Sequence, residues 1–363
     1  MSVDVAIIGG GIIGLLTARE LSLAGAAVAV IDRGSIGREA SWAGGGILSP
    51  LYPWRYSEAI TRLASWSQQY YPQLVDDLLQ STGIDPEYRR SGLLISPEKD
   101  SDLANTWSEK HGNAIEIVGI EEVRELQPGL FMENESWLWM SAVAQVRNPR
   151  LISSIRSYLS GKSIKFLENV HISEFLITNG RFQGIDTLSG RIHAEQCLVA
   201  SGAWSGGLMQ KVADLAVPIE PVRGQMLLLK GRRGLLQRMV LKNRHYLIPR
   251  ADGHILVGST LEHVGFEKQV TDAAQKELLS AAQEIYPDLL LHTEIETQWA
   301  GLRPGSPEGI PFIGSHPEVE GLFLCSGHYR NGFVLGPASA RLVTDLMLQR
   351  QPIMDASPYR LDR

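Results

Sequence analysis

The chain has 363 residues, with 34 Lys and Arg against 40 Asp and Glu and a net charge of −6. At roughly 150 residues per domain, this length predicts about two domains with an ample buried core. Hydrophobic residues at 44% and charged residues at 20% are ordinary globular values, which exclude a disordered chain or a fibrous repeat, and the acidic balance without a basic block gives no footprint for nucleic acid.

The apolar pattern near the start of the chain predicts a strand, a helix and a second strand. Residues 3–8 form a short continuous apolar run, as strands covered on both faces do. Residues 12–23 have helical spacing, and residues 27–31 repeat the buried-strand pattern. This order is typical of a βαβ unit with two parallel strands.

Further along, helical and strand patterns alternate. Apolar residues recur at three- and four-residue spacing from Ser57 to Leu79, which predicts a long helix. The middle of the chain is rich in predicted antiparallel strands, at residues 92–96, 136–146, 225–229, 246–250 and 254–258. A predicted strand at 192–200 and a helix from about 333 to 348 return the chain to the first domain.

The glycine-rich sequence GGGIIG at residues 9–14 lies between the first predicted strand and the first helix. Gly9 permits a tight turn, Gly11 lets the backbone approach a pyrophosphate, and Gly14 lets the helix pack on the strand. Asp32 ends the second strand about 20 residues later, where an acidic side chain accepts hydrogen bonds from a ribose. The pattern predicts a dinucleotide site, and Asp32 with Arg33 leaves NAD, NADP and FAD open.

A second glycine cluster, EASWAGGG at residues 39–46, follows that acid within one short loop. With it, the chain resembles the family of FAD-dependent amine and amino-acid oxidoreductases that includes D-amino-acid oxidase, sarcosine oxidase and glycine oxidase. The resemblance continues through LVASGAWS at 198–205, Gly224-Gln225, GLRP at 301–304 and GHYRNG at 327–332. Length and motifs are most similar to the bacterial glycine oxidase branch, which serves thiamine biosynthesis.

The resemblance implies an α/β fold, α+β overall, in which a Rossmann-like FAD-binding domain is interleaved with an antiparallel-sheet substrate domain. The predicted FAD-binding domain is discontinuous and consists of residues 1–84, 141–215 and 301–363. Residues 85–140 and 216–300 are assigned to the substrate-binding domain.

The resemblance also implies which residues hold FAD. The glycine loop contacts the pyrophosphate, Asp32 and Arg33 lie beside the ribose, residues 41–46 follow the ribityl chain and flavin, Val170 reads the adenine, and residues 327–332 face the flavin's pyrimidine end. Many family members carry Glu where this chain has Asp32, which implies a longer or water-mediated ribose contact. The implied set is Gly9, Gly11, Ile12, Ile13, Gly14, Asp32, Arg33, Ser41, Ala43, Gly44, Gly45, Gly46, Val170, Gly202, Trp204, His328, Tyr329, Arg330, Asn331 and Gly332.

Three residues are implied on the substrate side. Arg303 matches the arginine that binds the substrate carboxylate through two parallel hydrogen bonds, Tyr246 matches the tyrosine that shares this task, and Arg330 reaches toward substrate and flavin. On residue type alone, Arg303 reads as a surface charge and Tyr246 as a core aromatic. His328 is a candidate base, but the hydride transfer implied by the resemblance needs no base at the α-carbon.

The implied reaction is oxidation of glycine, sarcosine or a small D-amino acid by hydride transfer to FAD, with dioxygen reduced to hydrogen peroxide and an oxo acid and ammonia released. One alternative is a dehydrogenase of the same fold that passes electrons to a quinone or a carrier protein. Another is a non-catalytic flavoprotein subunit, against which the joint presence of Arg303, Tyr246 and Arg330 argues. A third is a nucleic-acid-modifying enzyme, against which the absence of a basic patch argues.

The remaining features concern cysteines, membranes and assembly. Two cysteines exclude a disulfide framework and a four-cysteine zinc site, and residues 305–309, where some sarcosine oxidases attach their flavin to a cysteine, hold none. We therefore expect noncovalent FAD and no metal.

The apolar start lacks a basic region before Arg19, and no apolar run reaches roughly 18 residues, so we expect a cytoplasmic protein without a membrane span. The resemblance implies a homotetramer.

Overall fold

The computed structural model describes residues 1–96, 100–112, 114–133, 135–212 and 215–363. Within these ranges the strands form two sheets. The strands are β1 Ser2–Ile8, β2 Val28–Ile31, β3 Leu93–Ile95, β4 Glu116–Gly119, β5 Ser136–Met140, β6 Ile164–Leu167, β7 Ile172–Thr178, β8 Arg181–Thr187, β9 Gly190–Val199, β10 Glu220–Gly231, β11 Met239–Lys242, β12 His245–Pro249, β13 His254–Gly258, β14 Thr293–Gly305, β15 Phe312–Ser315 and β16 Leu322–Ser326.

The α-helices range from single turns to long amphipathic segments. They are α1 Ile12–Leu23, α2 Ala40–Ala43, α3 Glu58–Thr82, α4 Ser101–His111, α5 Ile120–Leu126, α6 Asn148–Ser160, α7 Ser205–Met209, α8 Asp272–Ile285 and α9 Gly332–Met347. The predicted helices at 12–23, 57–79 and 333–348 are confirmed. Helix α3 runs three residues further than its apolar pattern and ends at Gly83, whose left-handed conformation is typical of a helix C-terminus.

The first sheet has the order β15-β16-β9-β1-β2-β6, with the β7–β8 hairpin continuing from β9. β1 is parallel to both β2 and β9, and β16 is parallel to β9. The predicted βαβ unit is therefore confirmed. Helices α1, α3, α6 and α9 cover one face of this sheet and contribute to a large apolar core.

The second sheet has the order β14-β10-β13-β12-β11-β3-β5-β4 and is antiparallel except where β11 pairs with β3. One face packs against α8. The other face carries Met226, Tyr246, Ile248 and Leu256, which meet the loop after α2. This face is directed toward the carboxyl ends of the first sheet's strands, so that the space between the sheets is the natural place for a ligand.

One predicted strand is shorter in the structure. The apolar run 136–146 was expected to be a single strand, but β5 ends at Met140 and the chain turns, with the N–H of Val143 donating to the carbonyl of Met140 at 3.3 Å. The apolar residues beyond the turn instead support the loop at residues 41–46, because the N–H of Val146 donates to the carbonyl of Gly46 at 2.9 Å. An apolar run does not reveal a turn made of small residues.

The division into two interleaved domains stays a proposal. The strands of the second sheet fall within residues 93–140 and 220–305. β14 runs through residues 300 and 301, where the proposed division has a boundary. Arg303, assigned by sequence to the FAD-binding domain, therefore lies on a strand of the second sheet.

Candidate active site

A cavity of about 570 Å³ lies between the two sheets. Its walls come from the residues after β1, β2, β9 and β16 and from strands β10, β12 and β14. Carboxyl ends of parallel strands are the usual ligand sites of such folds. The predicted residues that line it are Gly9, Gly11, Ile12, Ile13, Asp32, Arg33, Ser41, Ala43, Gly44, Gly45, Gly46, Val170, Gly202, Trp204, Tyr246, Arg303, His328, Tyr329, Arg330, Asn331 and Gly332.

Gly14 is not among the residues that line the cavity. A Cβ atom on Gly14 would overlap the carbonyl oxygen of Gly9, so this glycine lets α1 pack onto the turn after β1. Gly9 itself has a φ of +109°, and a Cβ atom there would overlap the carbonyl of Ala200. The turn therefore depends on glycine at both positions, and the contribution of Gly14 to the site is through packing.

The N-terminus of α1 is directed at the cavity. Gly11 precedes the helix in an extended conformation, and the N–H of Ile12 donates to Oγ of Ser41 at 2.9 Å. The first turn of a helix leaves other N–H groups without helical partners at the positive end of the dipole. Such a terminus binds phosphate oxygens.

Asp32 braces the glycine loop. Its carboxylate accepts hydrogen bonds from the N–H groups of Gly10 at 2.8 Å and Gly34 at 2.9 Å. Burial raises the pKa of the Asp32 carboxyl above its ordinary value, although these two N–H groups oppose the rise. The carboxylate was predicted to serve a ribose, and the structure adds a second task that local spacing did not reveal.

Arg33 and Trp204 form one end of the cavity. The guanidinium carbon of Arg33 lies 3.7 Å from the centroid of the Trp204 ring, and Trp204 stacks on Phe266 with centroids 5.5 Å apart. Val170 lies beside Asp32, because its N–H donates to the Asp32 carbonyl at 2.9 Å. Arg33, Trp204 and Phe266 therefore form a stacked group in the cavity wall.

The loop at residues 41–46 packs between α6 and the second sheet. A Cβ atom on Gly44 would lie 2.8 Å from Nδ2 of Asn148, and one on Gly45 would lie 2.7 Å from Cδ1 of Ile248. Arg250 holds the loop from behind, since its Nη2 donates to the carbonyl of Gly45 at 2.8 Å. Small residues here let the backbone form the cavity wall.

Arg303 is half-buried in the opposite wall, and its hydrogen bonds go only to neutral oxygens. Its Nη1 donates to the carbonyls of Arg223 and Thr260, both at 3.2 Å, and its Nη2 donates to Oγ of Ser259 at 2.8 Å. Among the residues that the structure describes, none accepts a hydrogen from Nε or the second hydrogen of Nη2. The guanidinium lies across Gly224, where a Cβ atom would overlap it.

The charges around Arg303 favour an anion. Burial lowers the pKa of the Arg303 guanidinium, and the neighbouring cation Arg330 lowers it further. Arg330 also lines the cavity, and no carboxylate in the described ranges forms an ion pair with either arginine. Tyr246 is near Arg303, with its hydroxyl donating to the weak acceptor Sδ of Met226 at 3.2 Å. An anion bound here would compensate two uncompensated cations.

The loop at residues 327–332 leads into α9. The N–H of Tyr329 donates to the carbonyl of Pro304 at 2.8 Å, which ties the loop to the strand that carries Arg303. Asn331 precedes α9, and its buried Nδ2 has no partner in the described part of the chain. A second helix N-terminus and an unsatisfied donor therefore border the cavity.

His328 is buried and neutral. Its Nε2 lies 3.0 Å from Oγ of Ser339, and burial lowers the pKa of the imidazole to about 3. A base with so low a pKa takes up no proton at neutral pH. Its position favours an orienting role in the loop over proton abstraction.

We expect His328→Gln to reduce the acid sensitivity of the fold. As pH falls through the ordinary histidine pKa of about 6.5 toward 3, the unfolded chain binds a proton that native His328 refuses, so stability is lost on acidification. The variant lacks this loss. Urea unfolding at pH 7.5 and pH 5 measures it, with the exposed His193→Gln as control; equal losses in His328→Gln and the parent would contradict the buried, neutral state.

Both cysteines are buried free thiols whose pKa values are raised by burial. Cys325 borders the cavity, but its Sγ is directed at the carbonyl of Ser339, 3.8 Å away.

Across the described ranges, no group of three or more His, Cys, Asp or Glu side chains could hold a metal ion. No helix in those ranges is long and apolar enough to cross a membrane.

Several cavity residues were not found by sequence reasoning. Gly224 is identified only as part of a motif, while Ser259, Met226 and Phe266 belong to strand and loop patterns without a functional signal. Their side chains reach the cavity because strands distant in sequence are neighbours in the sheet. The missed lining residues include Glu39, Ser49, His171, Lys211, Gly224, Met226, Ser259, Phe266 and Ser326.

The residues present fit FAD. The cavity is lined by aromatic rings at Trp204 and Phe266, by the cations Arg303 and Arg330, and by the N-terminus of α1. Backbone of Gly9, Gly11 and residues 44–46 forms the walls where side chains would collide. The unsatisfied Nδ2 of Asn331 provides a donor to an occupant.

Comparison with known proteins gives a consistent result. A family model described as FAD dependent oxidoreductase matches residues 4–346. Glycine oxidase of Pseudomonas aeruginosa is 51% identical over 360 residues, covering 99% of this chain and 98% of its own, and that of Pseudomonas putida is 47% identical with the same coverage. The crystal structure of glycine oxidase from Geobacillus kaustophilus is 30% identical, with a TM-score of 0.94 over 100% of this chain and 99% of that one.

Proposed function

This chain belongs to the family of FAD-dependent oxidoreductases, and from that premise we propose that it oxidises glycine and other small amino acids, including sarcosine and small D-amino acids. Dioxygen is the electron acceptor and hydrogen peroxide a product. Glycine yields glyoxylate and ammonia after hydrolysis of the imine. The similarity to glycine oxidases over nearly the whole chain supports this substrate class.

The observation that carries the proposal is the state of Arg303. A half-buried guanidinium with hydrogens left free on Nε and Nη2 is suited to two parallel bonds with a carboxylate. The carbonyls of Arg223 and Thr260 accept from Nη1, so the free donors on Nε and Nη2 are on the other side of the guanidinium. Tyr246 and Arg330 border the same space and complete a site for an amino-acid carboxylate.

FAD would be held by the glycine turn and α1 terminus at Gly9, Gly11, Ile12 and Ile13, by Asp32, Arg33, Val170, Gly202 and Trp204, by the loop 41–46, and by the loop 328–332. When bound, FAD supplies the hydride acceptor and transfers the electrons onward to dioxygen. The chain's own contribution is to bind, orient and exclude water.

The cationic end of the cavity also acts on the substrate's proton. Like charge from Arg303 and Arg330 depresses the pKa of a bound substrate ammonium and so favours the neutral amine. It is from the α-carbon of this neutral amine that hydride leaves as the imine forms. His328, with a pKa lowered to about 3, contributes no base. His328→Gln should therefore keep flavin reduction within about tenfold of the parent, whereas loss of a true general base costs roughly 100-fold or more.

A substrate panel tests the proposal. The purified protein is mixed in air with glycine, sarcosine, D-alanine and methylamine, and peroxide release is compared with reduction of an artificial dye. We expect peroxide with the three carboxylates and little with methylamine. Dye reduction without peroxide favours the dehydrogenase alternative, and no reduction by any of them favours the non-catalytic subunit.

We expect the flavin to be released by acid precipitation. No cysteine lies in residues 305–309, and the thiol of Cys325 is directed away from the cavity toward Ser339. The supernatant should be yellow and the pellet colourless, by absorbance. Flavin remaining with the washed, denatured polypeptide would show a covalent bond and overturn noncovalent binding.

The proposal includes three properties of the whole protein. The resemblance to bacterial glycine oxidases supports a place in thiamine biosynthesis, a cytoplasmic location and a homotetramer. Light scattering of the FAD-loaded protein measures the oligomeric state.

A further inference from the structure

Ser259 follows directly after β13 and lines the cavity beside Arg303. Its side chain is largely enclosed, at 7% exposure, and Oγ accepts a hydrogen from Nη2 of Arg303 at 2.8 Å. Neither the sequence motifs nor the strand pattern around it indicated a role. Its position next to two free donors of the half-buried guanidinium makes it part of the same surface.

The two ends of the guanidinium are held differently. Nη1 is bound by main-chain carbonyls of Arg223 and Thr260. These carbonyls are fixed by a paired strand segment, in which Arg223 and Glu262 exchange backbone hydrogen bonds of 2.9 and 3.0 Å. Nη2 depends on Ser259, the only side chain in the described ranges that bonds to this guanidinium.

A serine hydroxyl is both an acceptor and a donor. Oγ of Ser259 accepts from Arg303, and within the described part of the chain no residue accepts the hydrogen of this hydroxyl. Because Ser259 faces the cavity, that hydrogen is available to a bound ligand. A carboxylate has enough acceptor sites to take this hydrogen together with those of the free Arg303 donors.

We propose that Ser259 is a further donor to the substrate carboxylate: its hydroxyl oxygen accepts a hydrogen from Arg303, and the hydroxyl donates its own hydrogen to a carboxylate oxygen. This rests on the proposed function, since it takes the substrate to be an amino acid bound at Arg303. Ser259 thereby contributes to affinity for the carboxylate and keeps the free edge of the guanidinium directed into the cavity.

Ser259→Ala tests this with acetate as the probe, because acetate has the carboxylate and lacks the amine. Acetate binding to the oxidised, FAD-loaded enzyme is followed by the change in flavin absorbance. We expect its dissociation constant to rise about 10- to 100-fold, as loss of a hydrogen bond to a charged group predicts. KM for glycine should rise by a similar factor, while flavin reduction at saturating glycine changes little.

Two further variants separate a ligand contact from a structural effect. Ser259→Thr retains the hydroxyl and should recover most of the lost acetate affinity. Ser154→Ala removes another buried hydroxyl, bonded to the Leu151 carbonyl in α6 outside the cavity, and should leave acetate binding unchanged. Both measurements use the intact, FAD-loaded protein.

The outcomes distinguish this inference from the proposed function. Unchanged acetate and glycine affinity in Ser259→Ala, with the parent still oxidising glycine, would overturn the role of Ser259 alone. Equal loss of FAD affinity and acetate affinity would also overturn it, because a general collapse of the wall would explain both. If Ser259→Ala weakens acetate binding but the parent does not oxidise glycine, the proposed function is wrong and the carboxylate site is supported.

Discussion

Arg303→Ala is expected to weaken binding of glycine and of acetate by about 2–5 kcal/mol, the usual effect of truncating one partner of a desolvated charge pair. The guanidinium is half-buried, bonds to neutral oxygens and lies next to Arg330, so the alanine variant leaves the carboxylate with one fewer cation. FAD affinity should change far less, because the hydrogen bonds of Arg303 go to Arg223, Ser259 and Thr260 and to none of the residues assigned to FAD.

Paired measurements test this. Dissociation constants for acetate and for FAD are determined in Arg303→Ala and Arg303→Lys; lysine keeps the charge but lacks the planar fork, so we expect only partial recovery. Arg181→Ala, an exposed arginine beside Glu320, serves as the matched control. The anchor role is wrong if the parent oxidises methylamine as well as it oxidises glycine, since methylamine has no carboxylate to bind.

Gly11→Val is expected to yield folded but colourless protein. A Cβ atom on Gly11 already lies 3.1 Å from Oγ of Ser41, so the valine methyl groups displace Ser41 from the N–H of Ile12 and fill the space at the terminus of α1. The backbone of Gly11 is ordinary, with φ of −73°, so the fold itself should lose only about 1–3 kcal/mol from crowding. Flavin absorbance after purification and titration with added FAD measure the loss.

Gly119→Val is a close control for this substitution. Gly119 also precedes a helix, α5, with nearly the same conformation, φ −79° and ψ 172°. A Cβ atom there meets nothing within 4 Å. The control should stay yellow, and a colourless Gly119→Val or a yellow Gly11→Val would refute the steric explanation.

The sequence determined the β1–α1–β2 unit and, together with the family resemblance, many of the residues that line the cavity. The glycine turn and helix α1 follow from local spacing, because a period of 3.6 residues and a tight turn involve neighbours in the chain. Arg303 could be selected from its small, apolar neighbours together with the family resemblance. The same spacing predicted a strand through Val146, where the structure has a turn, since an apolar run gives no information about direction.

Only the tertiary structure decided how these residues are held. Asp32 accepts a hydrogen bond from the N–H of Gly10, 22 positions away, and so braces the glycine loop. Arg250, directly after β12 of the second sheet, donates to the carbonyl of Gly45. The partners of Arg303 come from β10 and from the loop after β13, so neither its free donors nor the role inferred for Ser259 appears in any local pattern. The low pKa of His328 is likewise a consequence of burial. These features depend on which strands pair and how the two sheets enclose the cavity, and residue spacing within one segment does not contain that information.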